Sequence, residues 1–168
     1  MLDLNRKTGE DMYVNRHSNG LCVVGLAPTH PALAKKITRF EYTNVIANNS
    51  VQGTQKKGGT TLHKDTVVAR LTCDDGTVYD LYSCIKGKLL ETNKYLSTDV
   101  TSLQTQAGTN GYLLIAEPFE RVDYMAKNSD LLSFDQYHHT RNIPIDKGPK
   151  FLKDMGDDEE ATAAGGGN

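Results

Sequence analysis

Few side chains in this 168-residue chain stand where chemistry could be done, and type and spacing decide what each could do. His138-His139 are neighbours. On a helix, neighbouring side chains point about 100° apart and cannot jointly grip one metal ion as residues spaced i, i+4 do. They read as surface histidines. Cys22, Cys73 and Cys84 are odd in number and contain no C-x-x-C pair, which signals neither a disulfide framework nor a zinc site. They read as small buried apolar residues. Ser83-Cys84 has no histidine close in sequence to act as its base. His17 and His30 flank turns, as a turn residue and a helix cap. In Lys56-Lys57-Gly58-Gly59 the glycines follow the lysines and no helix pattern comes after. A phosphate loop instead ends in Gly-Lys-Ser/Thr where helix N–H groups face the phosphate. Asp74 and Asp75 are adjacent acids in a turn, where Asp-Gly is favoured on conformational grounds alone. These residues carry no enzyme signature, no metal site and no cofactor site, so the chain reads as non-enzymatic.

The elements that would position these residues are mostly strands. Met12-Tyr13-Val14 and Leu21 to Leu26 are apolar runs around His17-Ser18-Asn19-Gly20, and Asn-Gly is the strongest short hairpin signal. Thr29-His30-Pro31 fits a helix start, with Thr29 or His30 as cap and Pro31 at the first helical position. Ile37 to Tyr42 alternates as a half-buried strand does. Ala47 to Lys64 is a long polar connection that includes the sequon-like Asn48-Asn49-Ser50. Val67 to Cys73 alternates around Val67, Ala69, Leu71 and Cys73, Asp75-Gly76 predicts a type I′ turn, and Thr77 to Cys84 returns. A glycine-centred turn at Ile85-Lys86-Gly87-Lys88 leads into Leu89 to Asn93. Ser97 to Asn110 reads as a polar connection and Gly111 to Ala116 as a further strand. Ser133-Phe134-Asp135-Gln136 matches a capping box opening a helix through Tyr137 to Arg141.

Charge divides body from tail. Asp154, Asp157, Asp158, Glu159 and Glu160 fall in the last fifteen residues, while every Lys and Arg precedes them. The overall charge of -2 therefore joins a mildly basic body to an acidic, Ala/Gly-rich tail unable to bury enough apolar surface to order itself. No stretch reaches the roughly 20 apolar residues that cross a bilayer, and the first residues lack the apolar core of a secretory signal. The chain is expected to be intracellular, not secreted, and without a membrane partner.

The order of these blocks resembles the glycine-cleavage H-protein plan, a barrel-sandwich hybrid (single hybrid motif) of the lipoyl- and biotinyl-type domains. A closer resemblance is to the Abitram (Simiate) family. It rests on His17-Ser18-Asn19-Gly20-Leu21-Cys22-Val23-Val24, Ala27-Pro28-Thr29-His30-Pro31-Ala32-Leu33, Asp75-Gly76-Thr77-Val78-Tyr79 with Ser83-Cys84-Ile85-Lys86-Gly87-Lys88-Leu89, and Asn110-Gly111-Tyr112. It covers roughly residues 12–140. The fold expected is mainly β, with two short helices and a disordered acidic C-terminal tail. The divisions expected are a 1–11 extension, a 12–141 domain and a 142–168 flexible tail.

In the H-protein family a lipoyl lysine sits at the tip of a β-turn. The equivalent stretch here is Asp74-Asp75-Gly76, which has no lysine; Lys64 precedes the first strand and Lys86 follows the second. Lipoylation is therefore not expected. The Abitram resemblance implies a binding or adaptor protein that engages monomeric and filamentous actin and modulates polymerisation and cell-projection dynamics. It also implies residence in nuclear speckles and the cytoplasm, including actin-rich projections. The alternative is a degenerate, non-lipoylated carrier-like domain that docks to lipoyl-handling enzymes. Nucleic-acid binding ranks last, because Lys56-Lys57 and Lys86/Lys88 lack aromatic neighbours in sequence. Actin's surface is acidic, and Lys56, Lys57, Lys86 and Lys88 are the candidate contacts, chosen for charge and for loop or turn placement.

Overall fold

The computed structural model describes residues 9–47, 59–107, 109–121 and 131–144. Asn48-Asn49-Ser50, Lys56, Lys57 and the acidic segment from 154 onward lie outside the described residues. Strands β1 (Met12–Arg16) and β2 (Cys22–Leu26) form the first hairpin. Its loop is Ser18-Asn19-Gly20: Gly20 N donates to His17 O, His17 N donates to Leu21 O, and Gly20 has φ +90°. This is a three-residue loop closed by glycine in the left-handed region, a conformation that costs glycine nothing sterically.

The second hairpin repeats the solution. β5 (Val67–Cys73) and β6 (Val78–Tyr82) pair antiparallel across Asp74-Asp75-Gly76. Gly76 N donates to Cys73 O, Cys73 N donates to Thr77 O, and Gly76 has φ +80°. A type I′ turn needs positive φ at both central residues, and Asp75 does not have it. The expected two-residue turn is corrected to a three-residue loop.

The remaining strands are β3 (Ile37–Tyr42), β4 (Thr61–Leu62), β7 (Gly87–Thr92) and β8 (Leu114–Pro118). They complete two antiparallel sheets, ordered β1-β2-β8-β7-β4 and β3-β5-β6. Between them lie Val24, Leu26, Leu62, Leu71, Leu81, Leu89 and Leu114, all shut off from water. Each such side chain contributes about 1.5–3 kcal/mol by leaving water. Irregularities in the ladders shift the expected alternation. A bulge between Val67 and Ala69 buries Val68 beside Ala69, and another between Leu89 and Glu91 buries both Leu89 and Leu90. Gly87 opens β7 rather than lying in a turn. A Cβ there would come within 2.4 Å of Glu117 O, so close approach to β8 is what requires glycine.

Helical structure is more scattered than the two helices expected. Residues Pro31–Ala34 form a 3₁₀ turn, capped by His30 Nδ1, which accepts from Ala32 N. The C-terminal helix starts at the expected capping box, with Ser133 and Gln136 bonding reciprocally. Short segments also occur at α1 (Asn44–Ala47), at Lys94–Ser97 (3₁₀) and at α2 (Thr101–Thr105). Each buries a single apolar side chain, Ile46, Leu96 and Leu103 respectively. One buried residue per segment leaves no periodicity to read in a polar stretch. With these in place the C-terminal helix is α3 (Phe134–Arg141). Among the described residues no helix is long and apolar enough to cross a membrane.

Candidate functional site: the pinned hairpin tip and the Lys86 corner

At the β5–β6 tip the loop is tied down from outside. Lys35 Nζ reaches Asp75 Oδ2 at 2.6 Å and Thr77 Oγ1 at 3.0 Å, and lies 5.5 Å from the centroid of the Tyr79 ring. Asp74 N donates to Lys36 O and Thr77 N to Asp75 Oδ1, at 2.9 Å each. The hydrogen bond from Lys35 holds the Asp75 carboxyl below the usual carboxylate range, and the same contact pushes the Lys35 ammonium above its own. Both groups stand at the surface, where water and salt reduce the energetic weight of those shifts. Lys35 is itself positioned from the far side. Gln104 Nε2, on α2, donates to Leu33 O and Lys35 O. The tip is thus exposed but tethered, and no lysine stands on it.

The corner where the chain passes from one sheet to the other is tighter still. Ser83 N and Cys84 N donate to Thr66 O and Lys64 O, while Ser83 Oγ donates to His63 O. Cys84 has φ +61°, a region non-glycine residues enter at a cost. Its thiol is buried and pushed up by desolvation, the opposite of what a nucleophilic thiolate needs. Cys22 and Cys73 are likewise buried free thiols, as expected.

Lys86 follows this corner immediately before β7, and Lys88 lies on β7. Lys86 is exposed, whereas Lys88 is half-buried and its stem lies against Gly59. Phe119 N donates to Lys86 O at 3.1 Å, so a ring that is 54% exposed leaves the chain at the same corner as the Lys86 ammonium. The sequence offers no aromatic beside Lys86; sheet pairing supplies one 33 positions away. The corner is not uniformly basic, because Glu117 is paired in register with Lys88 and Glu120 follows Phe119.

The histidines separate. His30 is buried, its ring edge-on to Tyr79 at 5.2 Å, and desolvation lowers its pKa to about 4 against the opposing pull of Glu10 and Asp11. It is a neutral cap. His139 is exposed as expected, but His138 is buried, its Nδ1 bonded to Phe134 O and its ring 3.9 Å from that of Phe134. The expectation of two surface histidines is corrected for His138, whose ring folds back one turn onto Phe134. Among the described residues no group of three or more His, Cys, Asp or Glu could hold a metal ion.

Sequence reasoning missed one polar cluster. Arg141 grips Asp11 bidentately, Nε to Oδ2 and Nη2 to Oδ1 at 2.6 Å each. Tyr137, also on α3, meets Thr29 through a hydroxyl–hydroxyl contact of 2.5 Å. Both partners flank the first hairpin, Asp11 just before β1 and Thr29 just after β2. Nothing in sequence marks a pair 130 positions apart.

No family model matches the chain. It is 47% identical over 151 residues to Protein Abitram of Dictyostelium discoideum, covering 90% of this chain and 86% of that protein. The chain belongs to the Abitram family. Human Protein Abitram is 34% identical over 142 residues, covering 80% of this chain and 77% of the human protein. Among solved structures, the glycine cleavage system H protein of Mycobacterium marinum matches with a TM-score of 0.58 at 16% identity, over 81% of this chain and 94% of that one. At that identity the likeness shows the fold: this Abitram-family chain is mainly β, two sheets with a few short helices in the H-protein arrangement.

Proposed function

We propose that this member of the Abitram family is a non-enzymatic binding protein that engages monomeric and filamentous actin and modulates polymerisation and cell-projection dynamics. Its places of action are the nucleus, including speckles, and the cytoplasm. The actin reading rests on the family; the observation that favours binding over carrying is the β5–β6 tip. A swinging-arm carrier needs a lysine on a projecting turn, and here the turn is Asp74-Asp75-Gly76, fastened by Lys35. The contact surface assigned is the corner of Lys86 and Phe119, an exposed charge beside an exposed ring, with Lys56, Lys57 and Lys88 as the further cations. Aromatic side chains dominate interface energetics, while exposed charges tune encounter.

Co-sedimentation with filamentous actin and a polymerisation assay with monomers test the reading. Binding is expected to weaken with ionic strength, since exposed charges are screened beyond about 8 Å at physiological salt. Lys86→Glu with Phe119→Ala is expected to abolish it. No binding by the intact protein to either form overturns the actin reading. In parallel, intact-mass measurement after co-expression with a lipoate ligase is expected to return the unmodified polypeptide, and one added lipoyl group would restore the carrier alternative.

A further inference from the structure

Three dipeptides in this chain can cyclise to a succinimide, because a side-chain amide or carboxyl precedes glycine: Asn19-Gly20, Asp75-Gly76 and Asn110-Gly111. In the asparagine reaction the glycine amide nitrogen gives up its proton and attacks the side-chain Cγ. An N–Cγ bond forms, the Cγ–Nδ2 bond breaks, and the amide leaves as ammonia. Water then opens the ring at either carbonyl, giving aspartate or isoaspartate. The balance is amide plus water to carboxylate plus ammonium, with no redox partner.

The fold treats the three sites differently. At Asn110 the leaving amide is held, Nδ2 to Gln106 Oε1 at 2.6 Å, and the Asn110 carbonyl accepts from Asn93 Nδ2 at 2.7 Å. The attacking nitrogen is held as well, Gly111 N to Gln106 O at 2.8 Å, and Gly111 is wedged so tightly that a Cβ would lie 2.5 Å from Ser102 O. At Asp75 the side chain is a carboxylate, a poor electrophile, fixed by Lys35 and Thr77. At Asn19 the side-chain hydrogen bond seen among the described residues is one that helps. Leu21 N donates to Asn19 Oδ1 at 3.0 Å, polarising the carbonyl and leaving Nδ2 as the departing group. Asn19 is exposed, nothing stands within 4 Å of a Cβ placed on Gly20, and His17 Nδ1 lies 3.4 Å from Asn19 N, a base beside the loop. Freeing the Gly20 amide from His17 O requires only fraying of an exposed tip.

We propose that Asn19 is a spontaneous modification site of the folded protein, at which the β1–β2 tip becomes aspartate or isoaspartate while Asn110 and Asp75 are protected by their partners. The change puts a negative charge beside Arg16 and His17. In the isoaspartyl form it routes the backbone through the side chain, adding an atom to a loop whose register depends on its length. Isoaspartate at an exposed tip is also the group that protein carboxyl methyltransferases methylate from S-adenosylmethionine.

The test is incubation of the intact native protein at physiological temperature and mildly alkaline pH. Ammonia release is followed, proteolytic peptides are mapped by mass, and isoaspartate is labelled with such a methyltransferase. The Asn19 peptide is expected to convert at least about tenfold faster than the Asn110 peptide, the order of rate that one extra restraining hydrogen bond controls. The Asp75 peptide is expected to remain unchanged. In denaturing urea the two Asn-Gly sites are expected to convert at comparable rates, and Asn19→Gln is expected to remove isoaspartate from the native protein. Asn110 or Asp75 converting as fast as Asn19 in the native state overturns the proposal. So does an intact Asn19 in the native protein when the unfolded chain converts.

Discussion

The two hairpins close with the same three-residue loop, Ser18-Asn19-Gly20 and Asp74-Asp75-Gly76, yet the fold treats their tips differently. The β5–β6 hairpin is held at its tip, where Lys35 binds Asp75. The β1–β2 hairpin is held at its base. There Ala27 N donates to Asp11 O, Arg141 pairs with Asp11, and Tyr137 meets Thr29, while its own tip stands in solvent. Turn chemistry is therefore local, and what a tip can do is not. The tip of Asp74-Asp75-Gly76 offers no lysine amine, and a tip left open is where backbone chemistry becomes accessible.

Breaking the base anchor should have the largest effect. Arg141→Ala leaves the Asp11 carboxylate buried without its partner, and removing one member of a buried pair costs about 3–5 kcal/mol. Urea denaturation is expected to show that loss, with Asp11→Ala/Arg141→Ala recovering part of it because no charge is then stranded. Recovery of nothing would mean that the pair's packing, not its charge, anchors the hairpin.

His30 joins the two hairpins, capping the turn after β2 while its ring meets Tyr79 on β6. Burial lowers its folded-state pKa to about 4, below the ordinary value near 6.5, so the unfolded chain binds more protons between those values. The stability it contributes is present above about pH 6.5 and is lost as pH falls through about 4, by up to about 3 kcal/mol. His30→Asn, which keeps a capping oxygen, is expected to flatten that part of a stability-versus-pH curve. An unchanged slope would place the titrating group elsewhere.

Gly20→Val and Gly76→Val sharpen the comparison at the level of the turn. Each forces a β-branched residue to positive φ, costing roughly 1–2 kcal/mol in either hairpin. Similar losses of thermal stability support a shared loop conformation, and a large difference between them would break it.

The smallest effect is expected at the tip itself. Lys35→Ala should leave global stability nearly unchanged, because a surface ion pair is screened, but should speed amide hydrogen exchange at Gly76 and Thr77. Because the folded-state Asp75 carboxyl titrates below its unfolded value, protection there should persist from neutral pH to about pH 4 and fall only in stronger acid. Protection already lost at pH 5 would show that Lys35 does not hold the tip.

What the sequence determined by itself lies within about four positions of the residues concerned. Asn19-Gly20 and Asp75-Gly76 dictate hairpins because glycine alone enters the left-handed region without strain. His30-Pro31 and Ser133 with Gln136 dictate helix starts because their side chains satisfy backbone N–H groups on the next turn. The absent lysine at 74–76 is likewise a plain reading of residue types. The loop length is not legible in residue types, because type I′ and three-residue loops both end in glycine and Asp75 lacks the positive φ of a type I′ turn. The tertiary structure alone decided which charges meet. Lys35 finds Asp75 across 40 positions, Arg141 finds Asp11 across 130, and Phe119 joins Lys86 just beyond the end of the β8–β7 ladder. Those partners are set by strand order and register, which depend on every buried side chain at once. No local pattern marks an isolated charge or ring for its distant neighbour.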